Sequence, residues 1–116
     1  MEKEFVPYEL ALRLKALGFD EKCIMHWWKG KLSYYQMGDF SPTHTSAPTF
    51  SQAFRWFREK YDYIGFIYQP NETGYWAYSL EDKAKYDTYE EAELACLDKL
   101  IEIVEQTERI EHGVYR

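Results

Sequence analysis

Three histidines and two cysteines are the side chains with which this chain could do metal or nucleophilic chemistry. The histidines are His26, His44 and His112. Cys23 and His26 could hold one metal ion only if both side chains faced the same way. Their segment has the pattern of a strand, however, and residues three apart on a strand point to opposite faces. We therefore predict no metal site.

His44 lies in a loop with Asp39 nearby, a combination that could act as an acid–base pair. A loop histidine in contact with water is the simpler interpretation. The sequence also lacks a Gly-x-Ser-x-Gly turn, a helix with paired metal-binding histidines and a glycine-rich phosphate loop. We therefore predict a protein that is not an enzyme, with no catalytic residue and no cofactor.

Both cysteines stand among apolar residues. Cys23 and Cys96 are expected to be small buried side chains in a reducing compartment. The alternative is one long-range disulfide in an exported protein, but the chain has no signal-peptide pattern. We therefore expect a cytoplasmic protein.

Aromatic residues are the unusual feature of the composition. They make up 19 % of the 116 residues, with seven Phe, eleven Tyr and four Trp. Many fall on segments with strand patterns, where alternation would send them to both faces of a sheet. A partner subunit, a ligand, the loop of residues 37–48 or the C-terminal tail would then cover the second face. Alternatively, the rings build a thin core with their hydroxyl groups in water.

Aromatic rings and arginines together suit a small, flat ligand that carries phosphate. Bases stack on Trp and Tyr rings, and arginine binds phosphate through paired N–H groups. The net charge of −6 disfavours long nucleic acid, but a nucleotide needs only two or three cations. The predicted ligand contacts are Trp28, Tyr35, Arg55 and Trp76, with Phe40 and His44 in a loop that would form a lid. Arg55 could equally lie on a solvated helix face.

Three segments have the pattern of helices. They run from Pro7 to about Leu17, from Phe50 to about Lys60, and from Tyr89 to about Glu108. Before the last two, Thr49 and Thr88 each precede a Gln or Glu by three residues, which is the pattern of a capping box. The predicted buried stripes are Leu10, Leu14 and Leu17 in the first helix; Ala53, Phe54 and Phe57 in the second; and Leu97, Leu100, Ile101 and Val104, extended back through Leu94 and Tyr89, in the third.

Two hairpin-like stretches lie between the helices. Residues 23–28 and 32–36 form the first predicted pair of strands, and residues 64–68 and 75–80 form the second. The order αββαββα predicts a two-layer α+β fold, with one four-stranded antiparallel sheet and three helices. Residues 1–108 would form a single domain and residues 109–116 a tail. The two αββ units are offset by 42 residues, which an internal duplication or the chance likeness of two capped helices would explain.

The third helix carries an acidic face. Its carboxylates are Glu90, Glu91, Glu93, Asp98, Glu102 and Glu105. Such a face could imitate DNA phosphates, although it is more often simply solvated. No apolar run approaches the ~20 residues of a membrane span, so we expect no membrane partner.

Three segments together point to known sequences: FVPYELA and LGFDE in residues 5–21, APTFSQAFRWFR in residues 47–58, and YDTYEEAELA in residues 86–95. They resemble a group of small uncharacterised proteins from Bacteroidota genomes and their phages. The second segment is the most specific, whereas Pro7 stands where those proteins would have Thr. The resemblance implies no established activity and no site residues.

A phage or mobile-element origin implies a small protein that acts by binding, either blocking a host protein or sequestering a defence signal. We therefore predict a non-enzymatic, anti-defence binding module for a small nucleotide-like molecule, which could be a homodimer. The alternative is a protein–protein interaction or inhibitor domain that uses the aromatic face of the sheet.

Overall fold

The three helices begin and end close to where the sequence places them. The computed structural model describes residues 2–34, 44–70 and 74–113. Helix α1 spans Tyr8–Ala16, α2 spans Phe50–Tyr61 and α3 spans Tyr89–Gly113, with a short 3-10 helix at Glu2–Glu4. The predicted boundary at residue 108 falls inside α3, because the sequence has no helix-breaking residue between that position and Gly113.

The end of α1 is set by a glycine, as the sequence predicts. Gly18 has a φ of 101°, in the left-handed region that favours glycine. The Gly18 N–H donates to the carbonyl oxygen of Lys15 at 3.0 Å, and the Phe19 N–H donates to that of Leu14 at 3.0 Å. These two bonds form a Schellman motif, which satisfies the last carbonyl groups of the helix.

The two predicted capping boxes differ in the contacts of the Gln or Glu side chain that stands three residues after the threonine. The Gln52 N–H donates to Thr49 Oγ1 at 3.1 Å, but the Gln52 side chain turns to the Glu21 carboxylate at 3.2 Å. At α3 the Glu91 N–H donates to Thr88 Oγ1 at 3.1 Å and the Thr88 hydroxyl donates to the Glu91 carboxylate at 2.9 Å, so here the two side chains pair with each other.

The strands form two antiparallel sheets of three strands within the described residues. Their bounds are β1 Met25–Trp28, β2 Lys31–Tyr34, β3 Thr45–Ala47, β4 Ile67–Tyr68, β5 Trp76–Tyr78 and β6 Glu81–Tyr86. The strand orders are β2-β1-β3 and β4-β5-β6. The α+β class is therefore confirmed, whereas the single four-stranded sheet and the order αββαββα are wrong.

The error has a physical cause in the two strands that the sequence pattern missed. Strand β3 is Thr-Ser-Ala at the end of the predicted loop, and β6 is the charged segment Glu-Asp-Lys-Ala-Lys-Tyr. Neither has the β-branched and aromatic content that favours a strand on its own. Both lie at sheet edges, where pairing with β1 and β5 supplies the backbone hydrogen bonds.

The chain divides into two compact units, residues 1–53 and 54–116, and the division falls within α2. In the first unit α1 packs against β3. In the second unit α3 packs against all three strands of its sheet. The prediction that residues 1–108 form a single domain stays a prediction.

The buried stripes of the helices are largely those predicted. Leu10, Leu14 and Leu17 of the first stripe are buried, as are Leu97, Leu100, Ile101 and Val104 of the third. In α2, Trp56 rather than Phe54 joins Ala53 and Phe57 in the buried set.

The stripe of α3 continues through small residues rather than large ones. Ala92 and Cys96 are fully buried, whereas Tyr89 and Leu94 are exposed. The segment before β4 approaches α3 closely at this level: a Cβ built on Gly65 would lie 2.8 Å from Cys96 Sγ. Small side chains on α3 and a glycine opposite them make this approach possible. None of the described helices is long and apolar enough to cross a lipid bilayer.

Candidate functional site

The sheet of the first unit has one face against α1 and a second face turned away from it. Trp27 belongs to the first face, because its Nε1 donates to the carbonyl oxygen of Val6 at 2.9 Å and its ring meets Tyr8 of α1 edge-on at 6.2 Å. Successive residues of a strand point to opposite faces. His26 and Trp28 therefore lie on the second face.

The register of the three strands shows what else shares that second face. His26 is paired with Ser33 of β2 and Ser46 of β3, and Trp28 is paired with Lys31. Directly paired residues carry their side chains on the same side of a sheet. This face, which we name the His26 face, is thus mainly polar, with Trp28 as its large ring. Trp27 lies on one face of this sheet and Trp28 on the other, as the alternation of the strand predicts.

Two imidazole rings stack on the His26 face. The ring centroids of His26 and His44 are 4.6 Å apart and their planes differ by 11°. Trp28 meets His44 edge-on, with centroids 5.6 Å apart and an angle of 75°. His26 is only 6 % exposed, and His44 is half-buried. We name these three side chains the ring cluster.

Helix α1 helps to fix the ring cluster. Lys15 Nζ, in the last turn of α1, donates to the backbone carbonyl oxygen of His44 at 3.3 Å. His44 is therefore not the solvated loop histidine that the sequence suggests. Its position is set by a stacked ring on one side and by a backbone contact with the neighbouring helix.

The β1–β2 turn brings positive charge to the edge of the ring cluster. Trp28 is 41 % exposed, and Lys29 Nζ lies over its ring at 4.7 Å from the centroid. Lys31 follows the turn and is paired with Trp28 across the two strands. An exposed indole thus has one ammonium group over its ring and a second lysine at the paired position of the neighbouring strand.

No protein-family model, curated protein or solved structure matches this chain. Function therefore has to rest on the chemistry of the side chains themselves.

The structure brings together two of the six predicted ligand contacts. Trp28 and His44 are neighbours in the ring cluster. Arg55 and Trp76 belong to the second unit, and Tyr35 and Phe40 lie outside the described residues. Whether any of these side chains contacts a ligand stays a prediction.

Arg55 and Trp76 both have local partners in the second unit. Arg55 Nε lies 3.7 Å from Glu59 Oε1, one turn further along the exposed side of α2. The Trp76 ring packs edge-on against Tyr89, with centroids 5.3 Å apart. Both contacts fit structural roles in the helix surface and in the packing of α3 on its sheet.

His26 is the member of the ring cluster that sequence reasoning did not propose as a ligand contact. The alternation of Ile24, His26 and Trp28 already placed it on the same strand face as Trp28. What the sequence could not show is that His44, eighteen residues further along, would cover it. That contact exists because β3 pairs with β1.

The aromatic residues of the second unit pack mainly on one another. Trp56, Phe57 and Tyr61 of α2 form mutual ring contacts of 5.0 to 6.0 Å, and Tyr61 stacks on Tyr63 at 6.1 Å. Burial raises the pKa of Tyr78 to about 12. These rings build the unit rather than an accessible surface.

The two cysteines are free thiols of low reactivity. Burial raises the pKa of Cys23 to about 11 and that of Cys96 to about 12, so both are protonated at neutral pH. Cys96 is buried as predicted, whereas Cys23 is only half-buried, with its Sγ 3.6 Å from Gln52 Oε1. Across residues 2–34, 44–70 and 74–113, no group of three or more His, Cys, Asp or Glu side chains is placed to hold a metal ion.

Several carboxylates on the acidic face of α3 make contacts near their own turn. Glu91 accepts from Thr88, and Glu102 Oε1 lies 3.5 Å from Lys99 Nζ. Burial raises the pKa of Glu93, and a hydrogen bond with Tyr89 offsets part of this rise. Much of this face is therefore used to cap and stabilise the helix.

Proposed function

We propose that this chain is a non-enzymatic binding module for a small, flat, anionic molecule of nucleotide type, and that the ring cluster is where the flat part of that molecule stacks. The observation that carries the proposal is the stack of His26 and His44 against an exposed Trp28 with an ammonium group over its ring.

The ring cluster suits a nucleobase for a physical reason. Stacking of a base on an aromatic side chain contributes about 1–3 kcal/mol and requires little sequence specificity. Trp28 is exposed enough to accept a base, and the buried ring of His26 holds His44 beside it. Imidazole nitrogens can donate to or accept from the edge of a base, which adds selectivity to the stacking.

The charge around the ring cluster suits phosphate. Lys29 and Lys31 flank Trp28 at the end of the hairpin. Two ammonium groups are enough to bind the phosphate of a nucleotide, but too few to bind a long polyanion.

Aromatic rings and ammonium groups can bind such a molecule without converting it to a product. A phage or mobile-element protein with this site would act against host defence by sequestering a nucleotide-derived signal.

The test compares two aromatic side chains on opposite faces of one sheet. Trp28→Leu removes the exposed ring of the His26 face. Tyr34→Leu is the matched control, since Tyr34 is 64 % exposed on the same sheet but is paired with Met25 on the face towards α1. Binding of AMP, ATP and cyclic dinucleotides is measured by calorimetry, with the melting temperature of each variant as a check on folding.

Loss of one base stack of about 1–3 kcal/mol corresponds to an affinity loss of roughly 5- to 150-fold for Trp28→Leu. Tyr34→Leu should bind as the parent does. Equal binding by the two variants, or no nucleotide bound by the parent at millimolar concentration, contradicts the proposal. Loss of binding in Arg55→Ala with Trp28→Leu unaffected would move the site to the second unit.

A second candidate is a protein–protein interaction domain, with a second copy of this chain as the partner. Ile64 and Phe66 are 56 % and 54 % exposed beside β4, which is an edge strand of its sheet. Edge strands carry unpaired backbone groups that can pair with another chain. Native mass spectrometry distinguishes the candidates: a dimer that Phe66→Asp converts to a monomer favours this one, and a bound small molecule that Trp28→Leu releases favours the first.

A further inference from the structure

The hairpin that carries Trp28 has an unusual residue at its tip. Its loop consists of Lys29 and Gly30, which have φ values of 50° and 77°. A two-residue loop with two positive φ values is the type I′ turn, which strongly favours Asn, Asp or Gly at its first position. Lysine is unfavourable there because its Cβ crowds the backbone.

The contact described for the Lys29 side chain is with the exposed Trp28 ring, so burial in a core does not account for a lysine at this position. A Cβ added to Gly30 would meet no described atom within 4 Å, so the turn stands clear of the described chain around it. Lys29 itself is exposed. Unfavourable backbone conformations of this kind persist at ligand-binding sites, where they place a group that the ligand needs.

The turn places the Lys29 ammonium beside the ring cluster. Its Nζ lies 4.7 Å from the centroid of Trp28, and the Trp28 ring in turn lies 5.6 Å from His44. Lys31, on the other side of the turn, is paired with Trp28. A base stacked on Trp28 would therefore have its sugar and phosphate within reach of the hairpin tip.

We infer that the tip of the β1–β2 hairpin is the phosphate-binding element of this site, with Lys29 as the anchor that the left-handed backbone conformation places next to Trp28. The inference rests on the proposed function, because it needs a base on the ring cluster. It narrows the ligand to a molecule in which a phosphate stands about one sugar away from a base, such as a nucleoside 5′-monophosphate.

The experiment separates charge from backbone conformation by using Lys29→Asn. Asparagine tolerates the left-handed region, so this variant keeps the turn while it removes the ammonium group. Lys29→Arg keeps a cation, and Lys22→Asn removes an exposed lysine elsewhere in the first unit as the matched control. Each protein is titrated with AMP and with adenosine, which lacks the phosphate, and its melting temperature is recorded.

Lys29→Asn is expected to weaken AMP binding about tenfold or more, which is the scale of one charge-assisted contact. Adenosine binding should be unchanged, and the melting temperature should be equal to or above that of the parent. Lys29→Arg and Lys22→Asn should keep most of the AMP affinity. In the parent, raising NaCl from about 50 to about 300 mM should weaken AMP binding but not adenosine binding, because exposed charges are screened.

Each contrary outcome has a separate meaning. If Lys29→Asn binds AMP as the parent does while Trp28→Leu does not, Lys29 is not the phosphate anchor and the proposed function stands. If Lys29→Asn loses AMP and adenosine equally, Lys29 shapes the turn and is not a phosphate anchor. If the parent binds neither AMP nor adenosine, the inference is overturned; if it also binds neither ATP nor a cyclic dinucleotide, the proposed function is overturned with it.

Discussion

The two units of this chain build different sheets from three strands that follow a helix. The first of the three strands is central in the first sheet, whereas the middle strand is central in the second. The lengths of the connections give the reason. Two residues separate β5 from β6, so these strands must pair as neighbours, whereas the ten residues between β2 and β3 allow β3 to return to β1.

This difference bears on the 42-residue offset between the helix starts. An internal duplication would preserve strand order as well as helix caps. The strand orders differ, which favours the chance likeness of two capped amphipathic helices over a duplication. Similar local patterns at two places in a chain thus do not imply similar tertiary structure.

Charge also separates the two units. Residues 1–53 contain six acidic and six basic side chains, whereas residues 54–116 contain fourteen acidic and eight basic ones. The net charge of −6 therefore lies entirely in the second unit. The first unit, which carries the ring cluster, is therefore neutral by this count.

The largest expected effects come from one core leucine in each unit. Leu14→Ala and Leu97→Ala each remove a side chain with no exposure, and each should lower the free energy of unfolding by about 2–5 kcal/mol. Urea denaturation followed by circular dichroism and Trp fluorescence measures this. Leu12→Ala and Leu94→Ala, on exposed positions of the same helices, are the controls and should have much smaller effects.

The same denaturation curves test the single-domain prediction. If residues 1–108 form one domain, both leucine variants shift one shared transition to lower urea. Two transitions, each shifted by only one of the variants, would show that the units unfold independently.

The next largest losses of stability are expected from two glycine substitutions, which destabilise the fold for different reasons. Gly65→Ala in the second unit places a Cβ 2.8 Å from Cys96 Sγ and 3.1 Å from Leu100 Cδ1, and overpacking of this kind costs about 1–3 kcal/mol. Gly30→Ala in the first unit meets no described atom but forces Ala to a φ near 77°, which costs roughly 1–2 kcal/mol.

A double-mutant cycle with Cys96→Ala distinguishes these two causes. Removing the sulfur should relieve part of the cost of Gly65→Ala and none of the cost of Gly30→Ala. Strictly additive effects of Gly65→Ala and Cys96→Ala would mean that the sulfur is not what limits the space.

The two threonine caps should have smaller effects. Thr49→Ala and Thr88→Ala each remove a side-chain oxygen that accepts the N–H of the third following residue, and each should cost about 1 kcal/mol. The comparison is sharpened by Gln52→Ala, which should speed hydrogen exchange in residues 21–23, because the Gln52 amide binds Glu21 and the Lys22 carbonyl. Glu91→Ala should affect only the start of α3.

The two thiols are expected to have the smallest effect on the free energy of unfolding at neutral pH. Their effect becomes clear above pH 9. Burial raises the pKa of Cys23 to about 11 and of Cys96 to about 12, from an ordinary value of 9.0. The unfolded chain therefore loses these protons first, so the stability they contribute is full below pH 9 and is lost as pH rises towards 11 and 12. Both thiols should react slowly with a disulfide reagent at pH 8 in the folded protein and rapidly in urea.

The order in which the thiols react checks this prediction. Cys23 is half-buried and has the less raised pKa, so it should be labelled before Cys96 as the pH is raised. Labelling of Cys96 first at pH 8 would contradict the burial that the structure gives it.

The sequence by itself determined where the helices begin and where α1 ends. Thr49, Thr88 and Gly18 act within four residues of their own position, so their effects can be read locally. It also determined that Trp28 would be a large ring on a strand face, since alternation is a property of the strand alone. Those predictions held because each needs only short-range geometry.

Only the tertiary structure decided the sheets and the partners of Trp28. Strands β3 and β6 are poor in strand-forming residues, and pairing with β1 and β5 supplies their backbone hydrogen bonds. Pairing of β3 with β1 brings His44 onto His26 across eighteen residues of sequence. Contacts of this range depend on which strand occupies the neighbouring place in the sheet, and that choice is made by the lengths of the connections and by burial, which no local pattern contains.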